Sequence, residues 1–138
     1  MVISGSHQFL FIHTGLSEIR EPSLEWDQRI ALAMGWTNIE HRPLIGGYGG
    51  RNPDTGKLEK LPLFTQSVDA ALSTKPDLWV LAVNGRFDGV HHVTLRPRGD
   101  LDKTPVETES TWLALAICHA TMQAHHQMKR EEMNDVRL

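Results

Sequence analysis

The hydrophobic pattern of the chain centres on residues 78–96, where two β-rich runs flank a short loop with two glycines and an aspartate. In the first run, residues 78–84, apolar side chains occupy both alternating sets of positions. A strand of that kind normally has both of its faces covered. The second run, residues 90–96, alternates more clearly between apolar and polar positions. The pattern predicts a hairpin in which the first run is a central strand and the second is more exposed.

Two segments before this hairpin have the character of short helices that pack on the sheet. The first begins after Ser23, a favourable N-cap residue, and ends before Gly35, which suits the residue after a helix C-terminus. The second spans residues 66–73, and Thr65 is its expected N-cap. Between the two helices, residues 38–42 are expected to form a short strand.

The strongest helical signal lies near the C-terminus. This helix is predicted to begin near Thr108 or Ser110, where Glu107 and Glu109 favour its N-terminal end. Residues 131–138 are polar and are predicted to fray. The apolar stripe of the helix recurs at steps of three and four residues and consists of Leu113, Ile117, Ala120, Ala124 and Met128.

Two other segments allow more than one interpretation. Residues 1–22 contain a short apolar run at 9–12, which fits an edge strand, an arm that packs on a partner subunit, or a disordered leader. Residues 46–50 are glycine-rich, but the spacing does not match a phosphate-binding P-loop. The Asn-Pro-Asp-Thr-Gly sequence at 52–56 favours a mobile loop that ends in a hairpin turn. The predicted organisation is an arm or leader (1–22), one domain (23–130) and a frayed tail (131–138).

Composition restricts the classes of function. A chain of 138 residues with 40% hydrophobic content suits one soluble domain, here an α/β (α+β) domain with a small antiparallel or mixed sheet sandwiched between helices. The net charge of −3 indicates no general affinity for nucleic acid or anionic membranes. A single cysteine excludes an internal disulfide and fits a reducing compartment. We expect a cytoplasmic protein with no nucleic-acid or membrane partner.

Histidine and cysteine give little indication of catalysis. His91 and His92 are neighbours on a strand and point to opposite faces, and His119 and His126 lie two helical turns apart. Neither pair has the spacing of metal ligands. Cys118 is expected to be a small buried filler in the last helix. The sequence therefore predicts no enzymatic activity, no metal and no cofactor.

A second set of residues favours ligand binding. Arg86 and Arg96 lie close to the hairpin in sequence, Asn84 ends the first strand, and Trp79 is near its start. Arginine forks bind phosphates, and an indole ring stacks on a nucleobase. Such a set would hold a small nucleotide. The competing interpretation is that Trp79 belongs to the core and the arginines are solvated.

Four segments in a fixed order resemble a known family. They are a helix ending in Met-Gly-Trp (27–36), the run Pro-x-Phe-Thr-x-Ser-Val-Asp-Ala-Ala (62–71), the strand with Trp79, and Ala-Leu-Ala-Ile-Cys-x-Ala (114–120). Together they resemble the small phage and prophage proteins called phage ABA sandwich domain proteins, over roughly residues 24–126. The resemblance implies a sheet between helical layers.

The chain is also similar to the phage anti-Thoeris sponges, which bind cyclic ADP-ribose signals in an oligomer and do not cleave them. This similarity implies a homo-oligomer with an aromatic plane for adenine, arginines for a diphosphate and polar groups for ribose. The candidate residues are Trp79, Asn84, Arg86, Arg96 and Arg29. The expected function is sequestration of a small cyclic nucleotide in the cytoplasm of a bacterial host. The alternative is an oligomeric phage accessory protein without a small ligand.

Overall fold

Four helices and two antiparallel sheets make up the part of the chain that the computed structural model describes, residues 5–86, 88–99 and 103–136. The helices are α1 (Gly5–Leu16), α2 (Leu24–Ala33), α3 (Val68–Leu72) and α4 (Leu113–Val136). The strands are β1 (Thr37–Arg42), β2 (Gly47–Arg51), β3 (Leu58–Lys60), β4 (Trp79–Gly85), β5 (His91–Pro97) and β6 (Val106–Ser110). Sheet A has the strand order β1-β2-β3, and sheet B has the order β4-β5-β6. The predicted single-domain α+β class with antiparallel pairing is confirmed.

Helix α4, rather than the 78–96 hairpin, is the element around which two other helices and sheet B pack. It contacts α1, α3, β5 and β6. The predicted apolar stripe is confirmed, because Ile117, Ala120 and Ala124 are fully buried. Residues outside the stripe, such as Leu115 and Met122, are buried as well. Burial on several sides explains why this helix is apolar over so much of its surface.

The N-terminal segment forms helix α1, so the edge-strand interpretation of residues 9–12 is wrong. Phe9, Ile12 and Leu16 are buried at spacings of three and four residues, and they pack into the same core as α4. The ring of Phe9 stacks on His125, with 4.8 Å between ring centroids. This apolar run is too short to show its helical period in the sequence alone. Residues 1–4 lie outside the described residues.

Local signals specify α2 correctly. The Ser23 hydroxyl accepts a hydrogen bond from the backbone N–H of Trp26 at 3.4 Å, and Gly35 follows the helix with φ +100°. The prediction for the next helix is wrong at its start. Ser67 is the N-cap of α3, while Thr65 is buried and bonded to α2. The Thr65 hydroxyl, which the sequence pattern assigned to capping the helix, therefore donates instead to the buried carboxylate of Asp27 on α2.

The glycine-rich segment is mostly strand β2, so its interpretation as a mobile loop is wrong. A Cβ atom at Gly50 would lie 2.9 Å from the carbonyl oxygen of Thr37, and one at Gly49 would lie 3.0 Å from that of Glu59. These glycines allow three backbones to approach closely in sheet A. The hairpin turn that follows is confirmed by the hydrogen bond from the Gly56 N–H to the Asn52 carbonyl at 2.8 Å.

The hairpin of β4 and β5 is confirmed, but the positions predicted for its two strands are reversed. Strand β4, predicted to be central, is an edge strand, and β5, predicted to be more exposed, is the central strand. Helix α4 packs on one face of sheet B, toward which Trp79 and Val93 point. On the opposite face Val80 is 52% exposed, so the prediction that both faces of this strand are covered is wrong. Periodicity reports which side chains are apolar and does not report what covers them.

Strand β6 was not predicted. Glu107 and Glu109 are exposed on it and alternate with the buried Val106 and Thr108, so the two acidic residues do not begin a helix. Helix α4 starts at Leu113 and is described as far as Val136. Residues 137 and 138 of the predicted tail, and residues 100–102 of the connection before β6, lie outside the described residues. None of the four helices in the described ranges combines the length and apolar character needed to cross a membrane.

Candidate ligand-binding site

A cavity of about 300 Å³ lies between α2, the β1–β2 hairpin and the residues that follow β3. We call it the Tyr48 cavity and define it by Leu24, Gln28, His41, Tyr48, Lys60 and Leu61. Three separate parts of the sequence meet here, because the lining residues come from α2, from the β1–β2 hairpin and from residues 60–63 at the end of β3 and after it. Pockets for small ligands typically begin at roughly this volume.

The β1–β2 hairpin positions the aromatic wall of the cavity. His41 and Tyr48 are opposite each other in the ladder, and their rings meet edge-on with 5.5 Å between centroids. The carbonyl of Tyr48 accepts a hydrogen bond from the N–H of Leu61 at 3.0 Å. Next to it, Gly47 has no side chain, and the Cε atom of Lys60 lies 4.0 Å from the position a Cβ would take there. A Cβ at this position would therefore make only ordinary van der Waals contact with the lysine, which lies beside the tyrosine.

A buried polar contact fixes the opposite wall. Both the N–H and the hydroxyl of Thr65 donate to the same carboxylate oxygen of Asp27, each at 2.7 Å. The Thr65 hydroxyl also accepts a bond from the N–H of Ser23 at 2.9 Å. Burial raises the pKa of Asp27, and the two bonds from Thr65 oppose that shift. These bonds hold α2 against the segment after β3, and α2 carries Gln28 into the cavity.

The exposed groups of the cavity fit a ligand with a flat apolar part and an anionic part. Leu24 is 57% exposed and Tyr48 is 37% exposed, so both present apolar surface that a ligand would cover. Among the described residues, no acidic side chain forms an ion pair with Lys60, whose ammonium therefore has charge to offer an anion. Asp27, the acidic group in the wall, is already bonded to Thr65.

The predicted ligand-binding residues of the hairpin do not meet at one site. Trp79 is only 6% exposed and lies in the core, where its ring cannot stack on a nucleobase. Asn84, Arg86 and Arg96 have the opposite orientation and share the uncovered face of sheet B. Arg86 is already bonded to the carboxylates of Asp88 and Glu109, each at 3.2 Å.

The fifth predicted residue, Arg29, lies on α2 and away from the hairpin. Its guanidinium carbon is 4.5 Å from the ring centroid of Trp26 and 5.1 Å from that of Phe11. One of its nitrogens also bonds to Glu25 at 2.7 Å. The geometry is that of a cation that lies over two neighbouring aromatic rings, whose centroids are 5.8 Å apart. Arg29 therefore bridges α1 and α2 within its own chain.

Helix α1 places His13 close to both His119 and His126, which lie two helical turns apart on α4. The ring centroid of His13 lies 6.2 Å from that of His119 and 5.3 Å from that of His126. Burial, together with the two neighbouring imidazoles, lowers the pKa of His13 to about 4. Within the described ranges, no three histidine, cysteine or acidic side chains are grouped closely enough to hold a metal ion. His13 is therefore packed beside these two rings with a pKa below its usual value.

Comparisons with protein-family models, curated proteins and solved structures gave no match. The resemblance to phage ABA sandwich domain proteins therefore rests on the sequence motifs and stays a prediction.

Sequence reasoning missed the Tyr48 cavity because its wall residues are separated along the chain. One signal was present: Tyr48 is the only tyrosine of the protein and interrupts the glycine run at 46–50. An aromatic residue within a glycine-rich strand has little of its own chain to pack on. That position indicates a ring exposed beside an open backbone, which is a common feature of binding sites.

Proposed function

We propose that this protein is a non-enzymatic binding protein, encoded by a phage or prophage, that sequesters a small nucleotide-type signalling molecule in the bacterial host cytoplasm. The ligand class is that of the cyclic ADP-ribose signals. The Tyr48 cavity is the site, in place of the hairpin residues. The observation that supports this proposal is that an exposed tyrosine ring, a lysine ammonium and a glutamine amide line one cavity.

Each group matches one part of such a ligand. A nucleobase stacks on an aromatic ring with a gain of about 1–3 kcal/mol, and the partly exposed Tyr48 ring that lines the cavity would provide this face. Lys60 pairs with a phosphate, while the amide of Gln28 both donates and accepts hydrogen bonds. A volume of about 300 Å³ holds a base with its sugar, and the remainder of a larger ligand would lie outside, over Leu24.

The first test is a thermal-shift screen with cyclic ADP-ribose isomers, cyclic di- and trinucleotides, NAD and ADP-ribose. A ligand at one hundred times its dissociation constant stabilises the folded protein by about 2.7 kcal/mol, or several degrees in Tm. We expect one cyclic nucleotide to give this shift and to be recovered intact by chromatography after denaturation. A flat screen on folded protein would contradict the proposal and favour the accessory protein without a small ligand.

The second test locates the site. Tyr48→Leu keeps an apolar side chain but removes the aromatic face, so we expect affinity to fall by about ten- to a hundredfold. Lys60→Gln should weaken binding by about tenfold because it removes a phosphate partner. Lys57→Gln is the matched control, since Lys57 is exposed in the preceding turn and does not line the cavity. Wild-type affinity in both cavity variants, measured by calorimetry on folded proteins, would place the site elsewhere.

A further inference from the structure

The four edges of the two sheets differ in how they are protected from pairing with another chain. Strand β3 has three residues, two of them charged, and β1 is interrupted by a register shift between Thr37 and Glu40. Strand β6 has exposed glutamates at 107 and 109. Strand β4 has seven residues in regular register and contains no charged residue and no proline. Edge strands in soluble proteins usually carry such protection, and β4 lacks it.

The backbone of β4 presents its unpaired groups in a regular series. In an antiparallel ladder, alternate residues bond to the neighbouring strand. The bonds at the two ends of the hairpin, from Arg86 N–H to the Val90 carbonyl and from Arg98 N–H to the Leu78 carbonyl, show that the even-numbered residues of β4 bond to β5. The N–H and C=O groups of the odd-numbered residues therefore point to the free edge.

One end of this edge is closed and the rest is open. The ammonium of Lys75 bonds to the carbonyl of Trp79 at 2.6 Å. Within the described ranges, no group bonds to the outward N–H and C=O of Leu81, Val83 and Gly85. Three consecutive outward residues thus offer three donors and three acceptors on one line.

We propose that β4 pairs with β4 of a second copy of this chain, antiparallel, about a two-fold axis at Val83. In this register Val83 faces its own equivalent, and Leu81 faces Gly85 of the other copy. The open groups of both strands then form about six backbone hydrogen bonds. The two copies of sheet B join into one continuous six-stranded sheet, and the closed Trp79 carbonyl lies outside the paired segment.

The side chains favour a second copy over an unrelated peptide. Val83 points to the side of the sheet on which α4 packs, but it is still 39% exposed, because the residues that cover this side do not reach this part of the edge strand β4. The two-fold pairing packs one Val83 against the other and places the large Leu81 beside a glycine. The uncharged edge offers nothing to select a charged peptide. The pairing does not rest on ligand binding, because the Tyr48 cavity belongs to sheet A.

Sedimentation velocity of the full chain tests the dimer. We expect wild-type protein to sediment as a dimer at micromolar concentration. Val83→Lys places two ammonium groups opposite each other and should weaken dimerisation by at least about tenfold. Leu58→Lys is the matched control, since Leu58 is an exposed apolar residue on the edge strand β3, and it should remain dimeric. A wild-type protein that is monomeric at 100-fold higher concentration would overturn the proposal.

Disulfide trapping tests the register. Hydrogen-bonded antiparallel partners have Cα atoms about 5.5 Å apart, which is within the range a disulfide spans. Val83→Cys should therefore form a covalent dimer under mild oxidation, while Ala82→Cys, whose two copies lie roughly 8 Å apart, should not. The native Cys118 is fully buried and does not compete. Faster trapping through Ala82→Cys, or equal trapping through both variants, would overturn pairing centred on Val83.

Discussion

Replacing Thr65 with valine tests whether the buried contact between α2 and the segment after β3 stabilises the fold. The Thr65 hydroxyl donates to the Asp27 carboxylate at 2.7 Å and accepts from the N–H of Ser23 at 2.9 Å. Thr65 is fully buried and Asp27 almost so. Valine has nearly the same shape, so the substitution removes two hydrogen bonds without opening a cavity.

The expected loss follows from what the substitution leaves behind. A hydrogen bond to a charged group contributes about 1.5–3 kcal/mol, and an N–H left without its partner costs about 1 kcal/mol more. The Thr65 N–H still donates to Asp27 at 2.7 Å, which retains part of the carboxylate's stabilisation. We therefore expect Thr65→Val to lower the free energy of unfolding by about 2–3 kcal/mol. Urea denaturation at pH 7 measures this, with Thr104→Val, at an exposed position, as the control.

The pH dependence provides a second check. Burial holds the pKa of Asp27 above its usual value in the folded protein, so this group's contribution to stability falls as pH rises through that raised pKa. Removing a hydroxyl that favours the charged form raises the pKa further. The loss caused by Thr65→Val should therefore be larger at pH 7 than at pH 4. A loss no greater than that of Thr104→Val, or one independent of pH, would refute the role assigned to this contact.

Two further predictions concern a glycine and a histidine. Gly50→Ala should lower the free energy of unfolding by about 1–3 kcal/mol, because the added Cβ would lie 2.9 Å from the Thr37 carbonyl oxygen. Gly47→Ala, where the nearest atom is 4.0 Å away, should change it little, and equal losses would contradict the close-approach explanation. The pKa of His13 falls from 6.5 in the unfolded chain to about 4 in the folded protein, so its contribution to stability is present above pH 6.5 and is lost as pH falls toward 4. In His13→Gln, the stability lost between pH 7.5 and pH 4.5 should shrink by about 1–2 kcal/mol, an amount reduced for partial solvent screening. His41→Gln is the control, and an unchanged pH dependence in His13→Gln would contradict the prediction.

Local signals identified the elements whose ends are determined by neighbouring residues. The Ser23 cap and Gly35 bound α2, and the apolar stripe of α4 is buried as its spacing predicts. Strand β6 was missed although its sequence, Val-Glu-Thr-Glu-Ser, alternates as a strand does, because acidic residues before a helix carry the same signal as a helix N-terminus. The pairing of β6 with β5 makes these residues a strand, and such a pairing depends on residues that are distant in the sequence.

The candidate site was less predictable than the fold for the same physical reason. Hydrophobic periodicity placed Trp79 on a strand but did not determine which of the two faces would be covered. The same run of apolar residues was compatible with a central strand and with an edge strand that keeps apolar side chains exposed. Tyr48 and Lys60 meet only after two hairpin pairings bring β1, β2 and β3 together. No spacing rule along the chain contains that information.

The separation of the Tyr48 cavity from the β4 edge determines how the outcomes of the experiments combine. The cavity is built from α2 and sheet A, while the edge belongs to sheet B, and the two share no residue. A ligand alters dimerisation only if it binds the two states with different free energy. If a monomeric Val83→Lys protein binds the ligand as wild type does, the site is complete within one chain. If its affinity falls, the second copy contributes to binding, either by covering the mouth of the cavity or by restricting sheet A through the core.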